Sequence, residues 1–182
     1  MFPNSTARGS DMSFQVRRLE NVADTQIIAL AHLLIDCVEA GASVSFMSPL
    51  NFDKASAFWR RVAEATARGE RALLVAEDAG GTIGTVQLTL DLPENQPHRA
   101  DLSKMLVHRR ARRRGVGAAL LRAAEELARE LGKSLLVLDT ASAEAARLYA
   151  RLGWERAGTI PDYALLPGGG LCDTTFFYRR LD

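Results

Sequence analysis

Residues 107–121 read VHRRARRRGVGAALL, and the fold turns on which phosphate this run is built to meet. Five arginines fall within positions 109–114, and two glycines, Gly115 and Gly117, follow directly. Upstream, ADLSKMLVH at 100–108 alternates like a strand, with Leu102, Leu106 and His108 on one face and Asp101, Ser103, Met105 and Val107 on the other. Downstream, Val116, Leu120, Ala123, Leu127 and Leu131 recur at helical spacing, opposite an outer face carrying Arg122/Glu126 and Glu125/Arg129 pairs. The order is therefore strand, Arg/Gly loop, helix, and SLLVLD at 134–139 follows as a short, fully apolar strand. A helix N-terminus presents unpaired N–H groups and the positive end of the macrodipole, a ready place for a pyrophosphate. Glycines there let a ligand approach the backbone, and arginines add charge-assisted forks at the rim.

Four uses of such a loop can be compared. A Walker A loop needs GxxxxGK[ST], but Gly115 is followed by Val-Gly-Ala-Ala. A Rossmann fingerprint fits better, since Asp139 ends the next strand, but Leu120 stands where its third glycine belongs. Six residues also separate His108 from Gly115, whereas a Rossmann turn follows its strand almost at once. A nucleic-acid grip is the third use. Against it stand a net charge of only +1 over 182 residues and no aromatics interleaved for base stacking. The fourth is Arg112-Arg113-Arg114-Gly115-Val116-Gly117, which matches [Q/R]-x-x-G-x-[G/A].

The rest of the chain frames that segment. Residues 14–19 suit an edge strand, and helical patterns run from Asp24 to a stop at Gly41 and from Asp53 to Arg68. RALLVAED and TIGTVQLTLDL flank Ala79-Gly80-Gly81 as an antiparallel hairpin. A short helix runs from Ser142 to Leu152, and the chain closes as strands around a PGGG turn. The order β-α-α-β-β-β-α-β-α-β-β implies a mixed α/β (α+β) sheet covered by helices. Residues 1–12 read as a disordered leader and 13–182 as one domain. Cys37 and Cys172 lack metal-ligand spacing and read as buried thiols, and no histidine has a ligand partner, so no metal is expected. His32 reads as a packed core residue. No apolar stretch approaches the roughly 20 residues that span a bilayer, no signal peptide is visible, and a cytoplasmic location is expected.

With its flanking strand KMLV and amphipathic helix, the arginine–glycine motif resembles the acetyl-CoA signature of the GNAT superfamily of N-acetyltransferases. SAEAARLYARLGW at 142–154 resembles that family's second motif, N-x-x-A-x-x-x-Y-x-x-x-G-[FY], with Ala145, Tyr149 and Gly153 in register. Ser142 replaces its asparagine and Trp154 its final aromatic. Residues 41–47, 99–117, 135–140 and 160–170 look closest to the tabtoxin-resistance type, which acetylates a small amine-bearing toxin.

The resemblance implies a GNAT fold, a mostly antiparallel sheet with one splayed parallel pair of strands and about four helices. It implies acetyl-CoA as co-substrate and an acetyl transfer to the primary amine of a small molecule, such as an amino-acid-like compound, toxin or antibiotic. An N-terminal acetylase of proteins or peptides is the rival within the class, and a nucleic-acid-binding module using Arg109–Arg114 is the rival outside it. Carried over, cofactor binding falls to Met105, Leu106, Val107, Arg112, Arg113, Arg114, Gly115, Val116, Gly117 and Ser142. Tyr149 becomes the general acid, although its spacing alone also suits a core tyrosine beside Leu148 and Leu152. Asp139 reads as general base or as the N-cap of the next helix, with Thr140 and Ser142 as rival caps. Asp101, in phase with Met105, is the second base candidate. Ser43, Phe46, Asp162 and Tyr163 are candidates for the acceptor pocket. A homodimer would be in keeping with the family, with 171–181 as a strand that pairs across subunits.

Overall fold

The computed structural model describes residues 13–181, and the leader expected over 1–12 lies outside them. The elements are β1 (Gln15–Leu19), α1 (Asp24–Glu39), α2 (Phe52–Ala67), β2 (Arg71–Asp78), β3 (Gly81–Thr89) and β4 (Arg99–Val107), followed by a 3-10 turn (Arg109–Ala111). Then come α3 (Val116–Glu130), β5 (Leu135–Thr140), α4 (Ala143–Arg151), β6 (Glu155–Leu165) and β7 (Leu171–Arg180). This is the order expected from the sequence.

The seven strands form one sheet in the order β1-β2-β3-β4-β5-β7-β6. Every pairing is antiparallel except β4 with β5. That parallel contact covers Arg99–Asp101 against Leu135–Val137 and then stops, so the two strands splay apart beyond it. β7 lies between β5 and β6, pairing with β5 over Thr175–Arg180 and with β6 over Leu171–Tyr178. The edge strands are β1 and β6.

The sheet separates two cores. Along β2, Leu74 and Ala76 enter a core with Val116, Leu120 and Ala124 of α3, while Leu73 and Val75 enter a second core with Leu30, Leu34 and Trp59 of α1 and α2. Period-two alternation is what divides them. β4 breaks the pattern. Leu102 belongs to the α3 core but Leu106 to the α1/α2 core, so the predicted shared face of these two leucines is wrong. The cause is a β-bulge. Thr85 pairs with Leu106 and Gln87 with Ser103, so Val86 alone faces both Lys104 and Met105. Lys104 takes a left-handed φ of +50° to make room, and the extra residue turns everything after it to the opposite face.

Two further expectations change. His32 is exposed and meets Phe52 in a tilted arrangement at 5.2 Å between ring centroids. Glu125 is buried (8% exposed) rather than on the outer face of α3. Its Oε1 accepts a hydrogen bond of 2.9 Å from Trp154 Nε1. That contact accounts for a tryptophan at the end of the second motif, since a buried indole N–H needs an acceptor. Both cysteines are free thiols, Cys37 buried and Cys172 half-buried. Among the described residues no helix is long and apolar enough to cross a membrane.

Candidate active site

The loop from β4 to α3 is tied down by most of its own arginines. Arg109 clasps Asp36 of α1, with its backbone N–H 3.0 Å from Oδ2 and its guanidinium on Oδ1. Arg110 forks onto both oxygens of Asp78 at 2.9 and 3.0 Å, and Arg114 reaches Asp78 Oδ2 at 3.1 Å. The Arg110 guanidinium, with help from Arg114 and the Gly80 N–H, holds the Asp78 carboxyl down at about 2. His108 Nδ1 accepts from Arg110 N, and Ala111 is fully buried under the turn. The loop is thereby pinned to α1 on one side and to the β2–β3 hairpin on the other.

Arg113 and Gly115 both take left-handed backbone angles, φ +60° and +82°, and Gly115 is the N-cap of α3. Left-handed residues among right-handed ones curl successive N–H groups into a concave anion nest, here at the start of a helix 15 residues long. Gly117 marks a close approach. A Cβ there would lie 3.1 Å from both Met105 Cε and Leu148 Cδ2. The missing side chain keeps open the groove between α3, β4 and α4, and this is the observation by which the loop fits a pyrophosphate-bearing coenzyme.

Below the loop, the splay of β4 from β5 opens a cleft of about 930 Å³. His108 N donates to Ile83 O, so on alternation the Leu106 amide also faces β3, while those of Met105 and Val107 point into the gap. The cleft gathers all the residues predicted for the coenzyme except Arg114, whose side chain leaves it for Asp78. Asp139, Tyr149 and Ser43 line it as well. Asp101, Phe46, Asp162 and Tyr163 do not.

Tyr149 is only 3% exposed, between Trp154 and Phe177 at ring-centroid distances of 5.9 and 5.7 Å. Burial first, and the nearby Asp139 charge second, push its phenol above the ordinary tyrosine range. Both act against the phenolate, so the hydroxyl keeps its proton. Asp139 is pushed above the ordinary carboxyl range, chiefly by burial, with Lys104 pulling the other way. It is not the cap of α4: Ser142 Oγ accepts from Ala145 N at 3.2 Å, and Thr140 Oγ1 accepts from Ser142 N at 3.1 Å. That leaves Ser142 as a helix cap at the cleft wall.

Asp101 lies before the bulge and therefore not in phase with Met105, which corrects its reading as second base. Its carboxylate pairs with Arg99 at 3.4 Å. Phe46 packs against Phe58 at 5.2 Å, Tyr163 against Phe176 at 5.8 Å, and the Asp162 N–H donates to Asp173 Oδ1. Asp162 and Tyr163 are exposed and Phe46 half-buried, but of the four predicted acceptor residues Ser43 alone lines the cleft. In their place stand the loop 40–44, Leu166 and Lys104. Two contacts join the segments that flank this end: Ser48 N–H donates to Pro167 O at 2.9 Å, and Ser43 Oγ lies 3.9 Å from Cys172 Sγ. They tie the segment after α1 to the β6–β7 hairpin. Lys104 had a signal that alternation alone could have exposed. An uninterrupted strand would bury a lysine between Leu102 and Leu106, a conflict that a bulge resolves.

A family model described as an acetyltransferase (GNAT) domain matches residues 69–156, which run from just before β2 into β6 and include the loop, α3, β5 and α4. The fold is similar to that of yncA from Salmonella typhimurium, solved with its cofactor acetyl-CoA, at a TM-score of 0.77 and 21% identity, covering 93% of this chain and 95% of that one. It is equally similar (TM-score 0.77, 21% identity, 93% and 89% coverage) to a phosphinothricin acetyltransferase from Sinorhizobium meliloti in complex with AcCoA. A ribosomal-protein-alanine N-acetyltransferase from Brucella melitensis matches with a TM-score of 0.77 and 25% identity over 92% of this chain and 99% of that one.

Proposed function

We propose that this chain, whose residues 69–156 match the GNAT acetyltransferase domain, transfers acetyl from acetyl-CoA to the primary amine of a small molecule. The bound coenzyme supplies the thioester acetyl group. The chain's own residues hold it and manage the protons. The amides of the Arg112–Gly117 turn take the pyrophosphate, with Arg112 and Arg113 at the rim. Met105 and Val107 offer their free amides to the coenzyme's arm, and one of these N–H groups serves as the donor to the developing oxyanion. Asp139, more basic than an ordinary carboxylate, orients the amine and accepts its proton. Tyr149 donates a proton to the departing sulfur, a role suited to a phenol held protonated by burial.

The observation that carries the small-molecule reading is the bridge from Ser48 N to Pro167 O. It joins the segment after α1 to the β6–β7 hairpin beside a cleft end lined by residues 40–44 and Leu166, which favours a compact acceptor over a peptide. The tabtoxin-resistance type, with a role in toxin or antibiotic resistance, is the finer reading, supported by residues 41–47 and 160–170, which flank this pocket. A cytoplasmic enzyme is in keeping with a donor made and used there. Thiol release from acetyl-CoA, measured against a panel of small amines, amino acids, amine-bearing toxins and short peptides, tests the reading. Turnover of small amines with none of peptides is expected. Peptide N-termini as the better acceptors would overturn it.

A further inference from the structure

Lys104 is unexplained by anything assigned so far. It is a non-glycine residue at φ +50°, placed at the bulge that reverses β4. Such backbone is uncommon and tends to persist where it re-aims a side chain. Here the bulge sends the ammonium to the α1/α2 side of the sheet. Its Nζ lies 5.7 Å from the Phe58 ring centroid and donates to Ser45 Oγ at 3.3 Å, and the residue lines the cleft beside Asp139. An ammonium has three protons to give, and among the described residues Ser45 is its one hydrogen-bond partner.

The surrounding charges do not balance it. Asp101 is engaged by Arg99 at 3.4 Å. Arg71 repels Lys104, and its guanidinium donates to the neutral Gln87 Oε1 at 2.7 Å. Asp139 attracts Lys104 across the gap but forms no ion pair with it among the described residues. Lys104 and Asp139 line the cleft, Arg71 adds a further positive charge that reaches Lys104 from outside the lining, and Asp101, which acts on Asp139, is paired with Arg99. Gln87, fully buried and paired in register with Ser103 next to Lys104, also has an unpartnered Nε2. A part-buried ammonium in the cleft with donors to spare favours an anion.

We propose that Lys104, backed by Arg71, is a subsite for a carboxylate on the acceptor, so that the substrate is an amine that also bears an acid group. This rests on the small-amine reading above and names the substrate class for it. Asp139 and Lys104 then meet the two ends of one zwitterion, the amine on the first and the acid on the second.

The test is a thiol-release assay with acetyl-CoA on matched pairs, each proteinogenic L-amino acid against its carboxamide, for wild type, Lys104→Met and Lys104→Arg. Wild type is expected to prefer the acid of at least one pair. In Lys104→Met the KM for that acid should rise about ten- to a hundred-fold, the range of one charge-assisted hydrogen bond, with a much smaller change in KM for the amide. Lys104→Arg should keep the preference, and an unchanged Kd for acetyl-CoA in Lys104→Met shows that the fold is intact. If wild type acetylates small amines but never favours the acid, the subsite is wrong and the small-amine reading stands. If Lys104→Met slows acid and amide alike, the lysine only positions Asp139 and the subsite is again wrong. Acetylation of peptides with no small amine accepted would overturn both.

Discussion

Trp154 Nε1 donates to Glu125 Oε1 at 2.9 Å, across 29 residues and with both side chains buried. The bond fastens the start of β6 to α3, directly behind the Tyr149 ring. It brings a carboxylate into the α3 core, where it is tolerated because a donor meets it. Replacing Glu125 with alanine leaves the indole N–H without a partner and opens a cavity, and it should cost about 1–3 kcal/mol. Chemical denaturation of Glu125→Ala checks this, and an unchanged midpoint would show that the bond contributes nothing.

Asp78 gives the loop an acid-sensitive anchor. Its folded-state pKa, about 2, is below the ordinary 3.8, mainly through Arg110. The anchor's contribution is therefore full above about pH 4 and lost as pH falls toward 2. Wild type should lose melting temperature across that window more steeply than Asp78→Asn, which starts lower at neutral pH. Parallel melting curves for the two proteins would refute the assignment.

Local pattern made much of this fold legible. The two helical stripes, the hairpin at Ala79–Gly81 and the pair of glycines at 115 and 117 are all read from neighbours in the chain, and they give the element order. The failures share a physical cause, since each depends on a partner distant in sequence. Strict alternation aligns Asp101 with Met105, but the bulge opposite Val86 of β3 reverses the phase at Lys104, where the single strand gives only the hint of a lysine between two buried leucines. Arg114 was assigned to the coenzyme, but its partner Asp78 lies 36 residues back. Irregular segments suggest exposure for Phe46, Asp162 and Tyr163, and Asp162 and Tyr163 are exposed, but whether they reach the cleft depends on how α2 and β7 pack. The site's outline was readable because its motif is contiguous. The acceptor end was not, because it forms where three separate segments meet.

Tyr149 and Asp139 predict opposite pH signatures. Tyr149 is held above the tyrosine range by burial, so it stays protonated through neutral pH and places no limit on turnover there. Tyr149→Phe should lower kcat about a hundred-fold or more, the usual scale of general acid catalysis, with acetyl-CoA affinity unchanged. Asp139 must be ionised to take a proton, and its raised pKa means that activity falls with acid earlier than an ordinary carboxylate would dictate. Asp139→Asn should lose that acidic limb together with most of its rate. Full turnover in Tyr149→Phe across the pH range would remove it from the mechanism.

The arginine run should divide when it is tested one residue at a time. Arg112 and Arg113 line the cleft, whereas Arg109 and Arg110 are committed to Asp36 and Asp78. Arg112→Ala or Arg113→Ala should weaken coenzyme A binding and flatten its dependence on salt, because exposed charges near a phosphate act through screened attraction. Arg110→Ala should leave the affinity nearly intact and cost at most about 1 kcal/mol of stability, since the pair is partly exposed and Arg114 remains on Asp78. Calorimetric titration at two ionic strengths separates these cases. Equal losses of affinity at Arg109, Arg110, Arg112 and Arg113 would mean that the run acts as one diffuse phosphate-binding patch. A gel shift of duplex DNA at low salt would then be the expected companion result, and with the guanidiniums divided as they are, none is expected.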